Sequence, residues 1–213
     1  MEQQNNEIKD AYNDWAAQYD TNHNHTRDME GIAMRCTLKD ITFNDCLELG
    51  CGTGKNTAWL LTQAQHLTAV DLSERMLEKA QEKVQSEKVN FVQADITQGW
   101  SFVKRPCDLI TFSLLLEHIE DISAIFSKAV HVLKPGGYIY IGELHSIKQY
   151  MGSKARYETP EGTKELICFT HHTSDFFKLA KLHQLDIVEF EEHFDNDDRK
   201  NIPRILTFLL QKK

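Results

Sequence analysis

The segment Cys46-Leu47-Glu48-Leu49-Gly50-Cys51-Gly52-Thr53-Gly54-Lys55 constrains the fold of this chain more than any other. It reads as a short buried strand that runs into a glycine-dense turn and then into a helix beginning near Asn56. Glycines at 50, 52 and 54 remove every second Cβ, so a ligand can lie against bare backbone. The amides at the start of the following helix then face that ligand. A strand, a glycine turn and a helix in this order are the opening unit of an α/β sheet.

The rest of the sequence continues the alternation. Strands are expected at 46–49, 67–70, 89–92, 108–116 and 138–141, with helices at 55–64, 73–84 and 121–133 between them. Ser73 is the expected N-cap of the second of these helices. Lys134-Pro135-Gly136-Gly137 should stop the third. Two late strands, 186–191 and 205–210, have no helix between them and should be antiparallel. The fold class is therefore α/β, a Rossmann-like, doubly wound, seven-stranded and mostly parallel sheet with an antiparallel C-terminal strand.

Residues 7–20 carry Ile8, Ala11, Tyr12, Trp15, Ala16 and Tyr19 in an i, i+3, i+4, i+7 stripe, which predicts an amphipathic helix. A second helix at 29–38 completes a helical N-terminal cap over 1–44. The single domain then comprises a core at 45–143, an insertion on the substrate side at 144–172 and the end of the core at 173–213. The insertion, polar and aromatic with few strand signals, is read as a flap or short insertion, and Ser174 as the cap of a final helix to about Leu182.

The net charge of −8 argues against nucleic acid as partner. No apolar run is long enough to span a bilayer, and the polar N-terminus resembles neither a signal nor a transit peptide. Five cysteines without a CxxC pair fit reduced thiols. A cytoplasmic monomer or homodimer acting on a small molecule is the expectation.

In sheets of this class ligands bind beyond the carboxyl ends of the strands. Asp71 ends the second strand, where a carboxylate can accept hydrogen bonds from two ribose hydroxyls. Asp95 follows the third and can accept from an exocyclic amine. The turn is Gly-x-Gly-x-Gly without a following G-K-[ST], so no phosphate clamp is present. Two acids and a glycine turn describe an adenosine pocket.

The motifs 47–54, Ala69-Val70-Asp71-Leu72-Ser73, Val92-Gln93-Ala94-Asp95-Ile96, Leu116-Glu117-His118-Ile119-Glu120-Asp121 and Leu133-Lys134-Pro135-Gly136-Gly137 resemble those of class I S-adenosylmethionine-dependent methyltransferases of the small-molecule type. The resemblance covers roughly 45–142, and 11–20 is similar to the capping helix of many such enzymes. It implies S-adenosylmethionine as cofactor. Glu48, Gly50, Cys51, Gly52 and Gly54 would then contact its methionine part, Asp71 and Leu72 the ribose, and Asp95 and Ile96 the adenine. Ser113 and Leu114 would lie under the sulfonium, with Tyr19 closing over the methionine end.

Methyl transfer from a sulfonium needs alignment and exclusion of water, with a general base only where the nucleophile arrives protonated. His118, just after the fourth strand, is the candidate base; the alternative is a loop residue bonded to backbone. Tyr12, Glu143, His145, His171 and His172 are the candidate substrate contacts. Tyr12 could equally be core, Glu143 and His145 solvated rim residues, and the His171-His172 pair an exposed pre-cap. Those histidines lack the local spacing of a metal site, so none is expected. A protein side chain as acceptor, or a non-catalytic cofactor-binding module, are the alternative functions.

Overall fold

A computed structural model describes residues 2–213. The sheet order is β3-β2-β1-β4-β5-β9-β8. Its parallel part comprises β1 (Asp45–Leu49), β2 (His66–Asp71), β3 (Val89–Gln93), β4 (Cys107–Ser113) and β5 (Leu133–Leu144). The last strand, β9 (Ile205–Lys212), runs antiparallel to both β5 and β8 (Leu185–His193). The seven strands and the antiparallel C-terminal strand are as expected from the sequence.

Helices α3 (Lys55–Leu60), α4 (Glu74–Lys83) and α5 (Ile122–Val132) link the parallel strands, and α7 (Thr173–Leu182) precedes β8. Alternate strand residues feed cores on the two sheet faces. Leu47, Leu49, Ile110 and Phe112 pack toward one face, and Cys46 and Leu109 toward the other. Such strands, covered on both sides, read as continuous apolar runs. The chain winds from β1 out to β3 and returns to β4, so the strand order switches between β1 and β4. There Leu49 is level with both Val70 and Phe112, which brings Gly50, Asp71 and Ser113 to one rim.

The cap consists of α1 (Glu2–Trp15), a turn over 16–20, and α2 (His25–Leu38). Helix α1 starts well before the predicted 7 and stops before 20. Its first turns have no apolar period, but Asn5 Nδ2 donates to Asp95 Oδ2 at 2.8 Å and to Thr97 Oγ1 at 3.1 Å. Tertiary contact, not amphipathicity, fixes that end. Farther along, Asn13 Oδ1 accepts from Ser73 Oγ at 2.6 Å, and Asp20 accepts from Thr53 Oγ1 and Lys83 Nζ, both at 2.7 Å. The cap is thus fastened across the carboxyl rim at several points.

Two local expectations are corrected. Residues 144–172 hold a short helix, α6 (Ser146–Tyr150), and a hairpin of β6 (Arg156–Thr159) with β7 (Gly162–Glu165). Only Tyr157 is buried in that hairpin, so no alternating pattern announces it. Helix α7 is capped at His172 and not at Ser174, with Asp175 Oδ2 accepting from the His172 amide at 3.1 Å. Ser73 does cap α4, its hydroxyl accepting from Met76 N at 3.1 Å.

Candidate active site

The rim holds a cavity between the strand ends and the underside of α1. Its floor is the glycine turn. Gly50, Gly52 and Gly54 all have positive φ, at 72°, 52° and 78°. Their roles differ, however. A Cβ on Gly50 would lie 2.9 Å from Leu115 Cδ1, and one on Gly54 would lie 3.2 Å from Ala80 Cβ. At Gly52 a Cβ would meet nothing within 4 Å. Gly50 and Gly54 therefore serve close packing, while Gly50 and Gly52 both bare backbone to the cavity and only Gly52 faces open space. Gly54, turned toward α4, is outside the cavity lining.

Asp71 is fixed beside that glycine. Its Oδ2 accepts from Gly52 N at 2.8 Å and its Oδ1 from Ser73 N at 2.9 Å. Burial raises the carboxyl above its ordinary range, and the amide hydrogen bonds from Ser73 and Gly52 oppose that rise. Each oxygen holds one amide and keeps a further acceptor position. Asp95 is held similarly, Oδ1 accepting from Thr97 N at 2.8 Å and Thr97 Oγ1 at 2.6 Å. Leu72 and Ile96 complete this end of the lining.

At the opposite end Ser113, Leu114, Tyr12, Tyr19 and His118 close the wall. Leu114 has φ 50°, a conformation that costs a β-carbon residue on the order of 1–3 kcal/mol and concentrates at functional sites. His118 is buried, and its two nitrogens have distinct partners. Nδ1 lies 3.1 Å from the Ile167 carbonyl, so it carries the proton. Nε2 lies 2.8 Å from Tyr12 Oη and must accept from the phenol. Burial, with the neighbouring Tyr19 and Glu117, raises the Tyr12 phenol well above its usual range and keeps it neutral. Glu117 Oε1 stands 3.9 Å from His118 Nε2, ready to stabilise a protonated ring.

Several sequence-predicted site residues lie elsewhere. Glu48 is buried beneath the turn, accepting from Thr57 Oγ1 at 2.6 Å, and burial together with Glu30 and Asp71 raises it to about 8. Cys51 packs with Ala69 and Leu77, and its thiol is raised by burial. Glu143 Oε1 accepts from the amides of Leu115 and Leu116 at 3.0 and 2.8 Å, a brace for the loop after β4. Burial, then Glu117, pushes it up to about 8. His145 begins α6, its Nδ1 accepting from Ile147 N and its Nε2 facing Glu192 at 3.0 Å. His171 Nε2 reaches the carbonyls of Ile119 and Leu116 at 2.8 and 3.1 Å. His172 stacks on exposed Tyr150. None of these residues lines the cavity; all have polar partners or a stacking neighbour elsewhere, though Glu143 Oε2 is buried without a hydrogen bond among the described residues.

Other residues of the site had no individual mark in the sequence. Asn5 and Ile8 line the cavity with Tyr12, in i, i+3, i+7 spacing on one face of α1. Beginning that helix five residues earlier would have exposed the pattern. Buried Glu30, from α2, accepts from Asn56 Nδ2 and Tyr140 Oη behind Ser113.

Residues 47–141 match the family model described as a methyltransferase domain. Over that segment the chain resembles a methyltransferase domain. Over 144 residues it is 28% identical to a ubiquinone biosynthesis O-methyltransferase of Xylella fastidiosa, covering 64% of this chain and 56% of that protein. The chain spans about half the length of the curated relatives it matches. Among solved structures, the N-methyltransferase NodS of Bradyrhizobium japonicum, in complex with S-adenosyl-L-homocysteine, superposes with a TM-score of 0.73 at 18% identity, over 97% of this chain and 98% of that one. A DhpI–SAM–HEP complex gives 0.78 at 20% identity, over 97% and 96%. At these identities the structural likeness establishes the fold of the methyltransferase domain.

Proposed function

We propose that this chain transfers a methyl group from S-adenosylmethionine to a small-molecule acceptor. The observation that carries the reading is the Gly52–Asp71 cradle, a bare backbone step bonded to a carboxylate with acceptor positions to spare. It fits a ribose and leaves no place for a phosphate. Asp95 and Ile96 flank the adenine end, while Ser113, Leu114 and Tyr19 flank the methionine end. When bound, the cofactor supplies an electrophilic methyl with a neutral thioether leaving group.

The protein's own contribution is to orient, to exclude water and to take a proton. Helix α1 roofs the cavity, and its bonds to Asp95 and Ser73 hold the roof down. An acceptor O–H or N–H that donates to Tyr12 Oη has a continuous path, because the phenol already donates to His118 Nε2. The acceptor loses its proton as its bond to the methyl carbon forms, the phenol passes one to the imidazole, and Glu117 faces the resulting cation. His118 and Tyr12 thus act as base and relay.

Support for a small acceptor comes from the closed roof and the net charge of −8, which disfavours polyanions. The five cysteines are unpaired, which agrees with residence in the reducing cytoplasm. Incubation of the full chain with methyl-labelled cofactor and fractionated metabolites should give a labelled product identifiable by mass. Cofactor binding without label in any fraction would sink the catalytic reading and leave a binding module.

A further inference from the structure

A second cleft lies on the other side of Tyr12, Tyr19 and Leu114, which line both spaces. On the reading above, it is the space from which an acceptor reaches the methyl group. Its charge runs against that of the whole chain. Arg27, Arg156, Arg204 and Lys154 line it, against two acids, Glu117 and Glu158.

Two of the four cations are neutralised. Arg204 grips both oxygens of Asp195, at 2.5 and 2.7 Å, and Lys154 meets Glu165 at 3.2 Å. Arg27 and Arg156 have no carboxylate within 4 Å among the described residues. The acids near Arg27 in sequence are already engaged, Asp28 by Lys55 and Asp20 by Lys83, each at 2.7 Å, and Glu30 by Asn56 and Tyr140.

Arg27 is also held in place. Its guanidinium lies 4.3 Å from the Tyr19 ring centroid, and Nη2 donates to the Asn22 carbonyl at 2.7 Å. Its Nη1 is buried with no partner among the described residues, and so is the indole Nε1 of Trp15, another lining residue. Two buried N–H donors left unmet in one cleft each leave a desolvation cost uncompensated. A fixed, planar guanidinium with a spare edge suits an oxyanion.

We infer that the second cleft binds an acceptor bearing an oxyanion, a carboxylate or a phosphate-type group, and that Arg27 holds that group. The aromatic rings of Tyr12, Trp15, Tyr19 and Tyr157 could in isolation suit a cation. Here Arg27 already occupies the Tyr19 face and repels a second positive charge.

The test uses the full chain saturated with S-adenosylhomocysteine, titrated by calorimetry with 4-hydroxybenzoate, phenylphosphonate, 4-hydroxybenzamide and benzylamine. At least one anion should bind roughly tenfold or more tighter than the amide and the amine, and should weaken with salt. Arg27→Gln should remove that preference, Arg27→Lys should retain part of it, and the Trp15 indole N–H resonance should move with the anion. Equal or tighter binding of the amide or amine, no binding of either anion, or anion binding that leaves the indole signal fixed would overturn the inference. The wild-type comparison decides even if Arg27→Gln does not fold. Failure of S-adenosylhomocysteine itself to bind would count against the proposed function instead, and the anion preference can then be read without it.

Discussion

The two spaces that meet at Tyr12 are made of opposite materials. The cofactor-side cavity is built on strand ends, and its charged groups, Asp71 and Asp95, are acids whose oxygens are pinned by Gly52, Ser73 and Thr97. The acceptor-side cleft is built from the link before α2 and the hairpin after α6, and its unpaired groups are cations. One side is rigid because the sheet register levels its parts. The other is assembled from segments that touch only after folding. A methyltransferase domain can keep the first unchanged while the second is altered freely, since loops tolerate substitution better than strand ends.

Activity and binding measurements can sharpen or break this contrast. The largest expected effect is at the shared wall: His118→Asn should lower kcat by about 10²–10⁴-fold with little change in cofactor affinity, if the acceptor arrives protonated. A kcat within threefold of wild type would remove His118 from proton transfer.

Stability against pH probes the layer under the cofactor floor. Glu48 and Glu143 are both raised to about 8 by burial, from an ordinary 4.5. Their protonated forms belong to the folded state, so their contribution is complete below about pH 4.5 and is lost as pH rises toward 8. Glu48→Gln or Glu143→Gln should each flatten the fall in stability between pH 5 and 8, by up to ~1.4 kcal/mol per pH unit. Denaturant titrations at several pH values would show it, and an unchanged slope would contradict the assignment.

Smaller effects are expected on the cofactor side proper. Asp71→Ala should weaken S-adenosylhomocysteine binding by about 1–3 kcal/mol, roughly fivefold to 150-fold. Unchanged affinity in a titration would show that the ribose is held elsewhere. Smallest of all, Leu114→Gly should change stability by no more than ~1 kcal/mol, because relief at φ 50° offsets lost packing. It should still lower turnover by opening the wall between the two spaces, which steady-state kinetics would detect.

Legibility in the sequence follows the same division. Buried parallel strands and their caps write themselves in apolar runs, so β1, β2 and the Ser73 cap are placed within a residue or two, while β4 ends three residues before the expected 116. Asp71 and Asp95 sit at strand ends, where position alone suggests a role. Glu48, Glu143, His145 and His171 look equally functional, yet each is absorbed by a neighbouring hydroxyl, amide or carbonyl that only the folded chain brings near. The hairpin at β6–β7 is exposed and unpatterned, and Arg27 is one cation among twenty-four until folding leaves it unpaired. What escapes is whatever depends on which partner a polar group fails to find.

Asn5 and Tyr12 are seven residues apart on one helix, two turns or about 10 Å along its axis. The first bonds to Asp95 and the second to His118, the proposed adenine and methyl ends of the cavity. A rigid rod anchored at both places cannot admit a ligand at one end while staying sealed at the other. On the cofactor placement proposed above, loading and unloading would be a single mechanical event, and exchange of spent cofactor would open the Tyr12–His118 pair to bulk water in the same stroke.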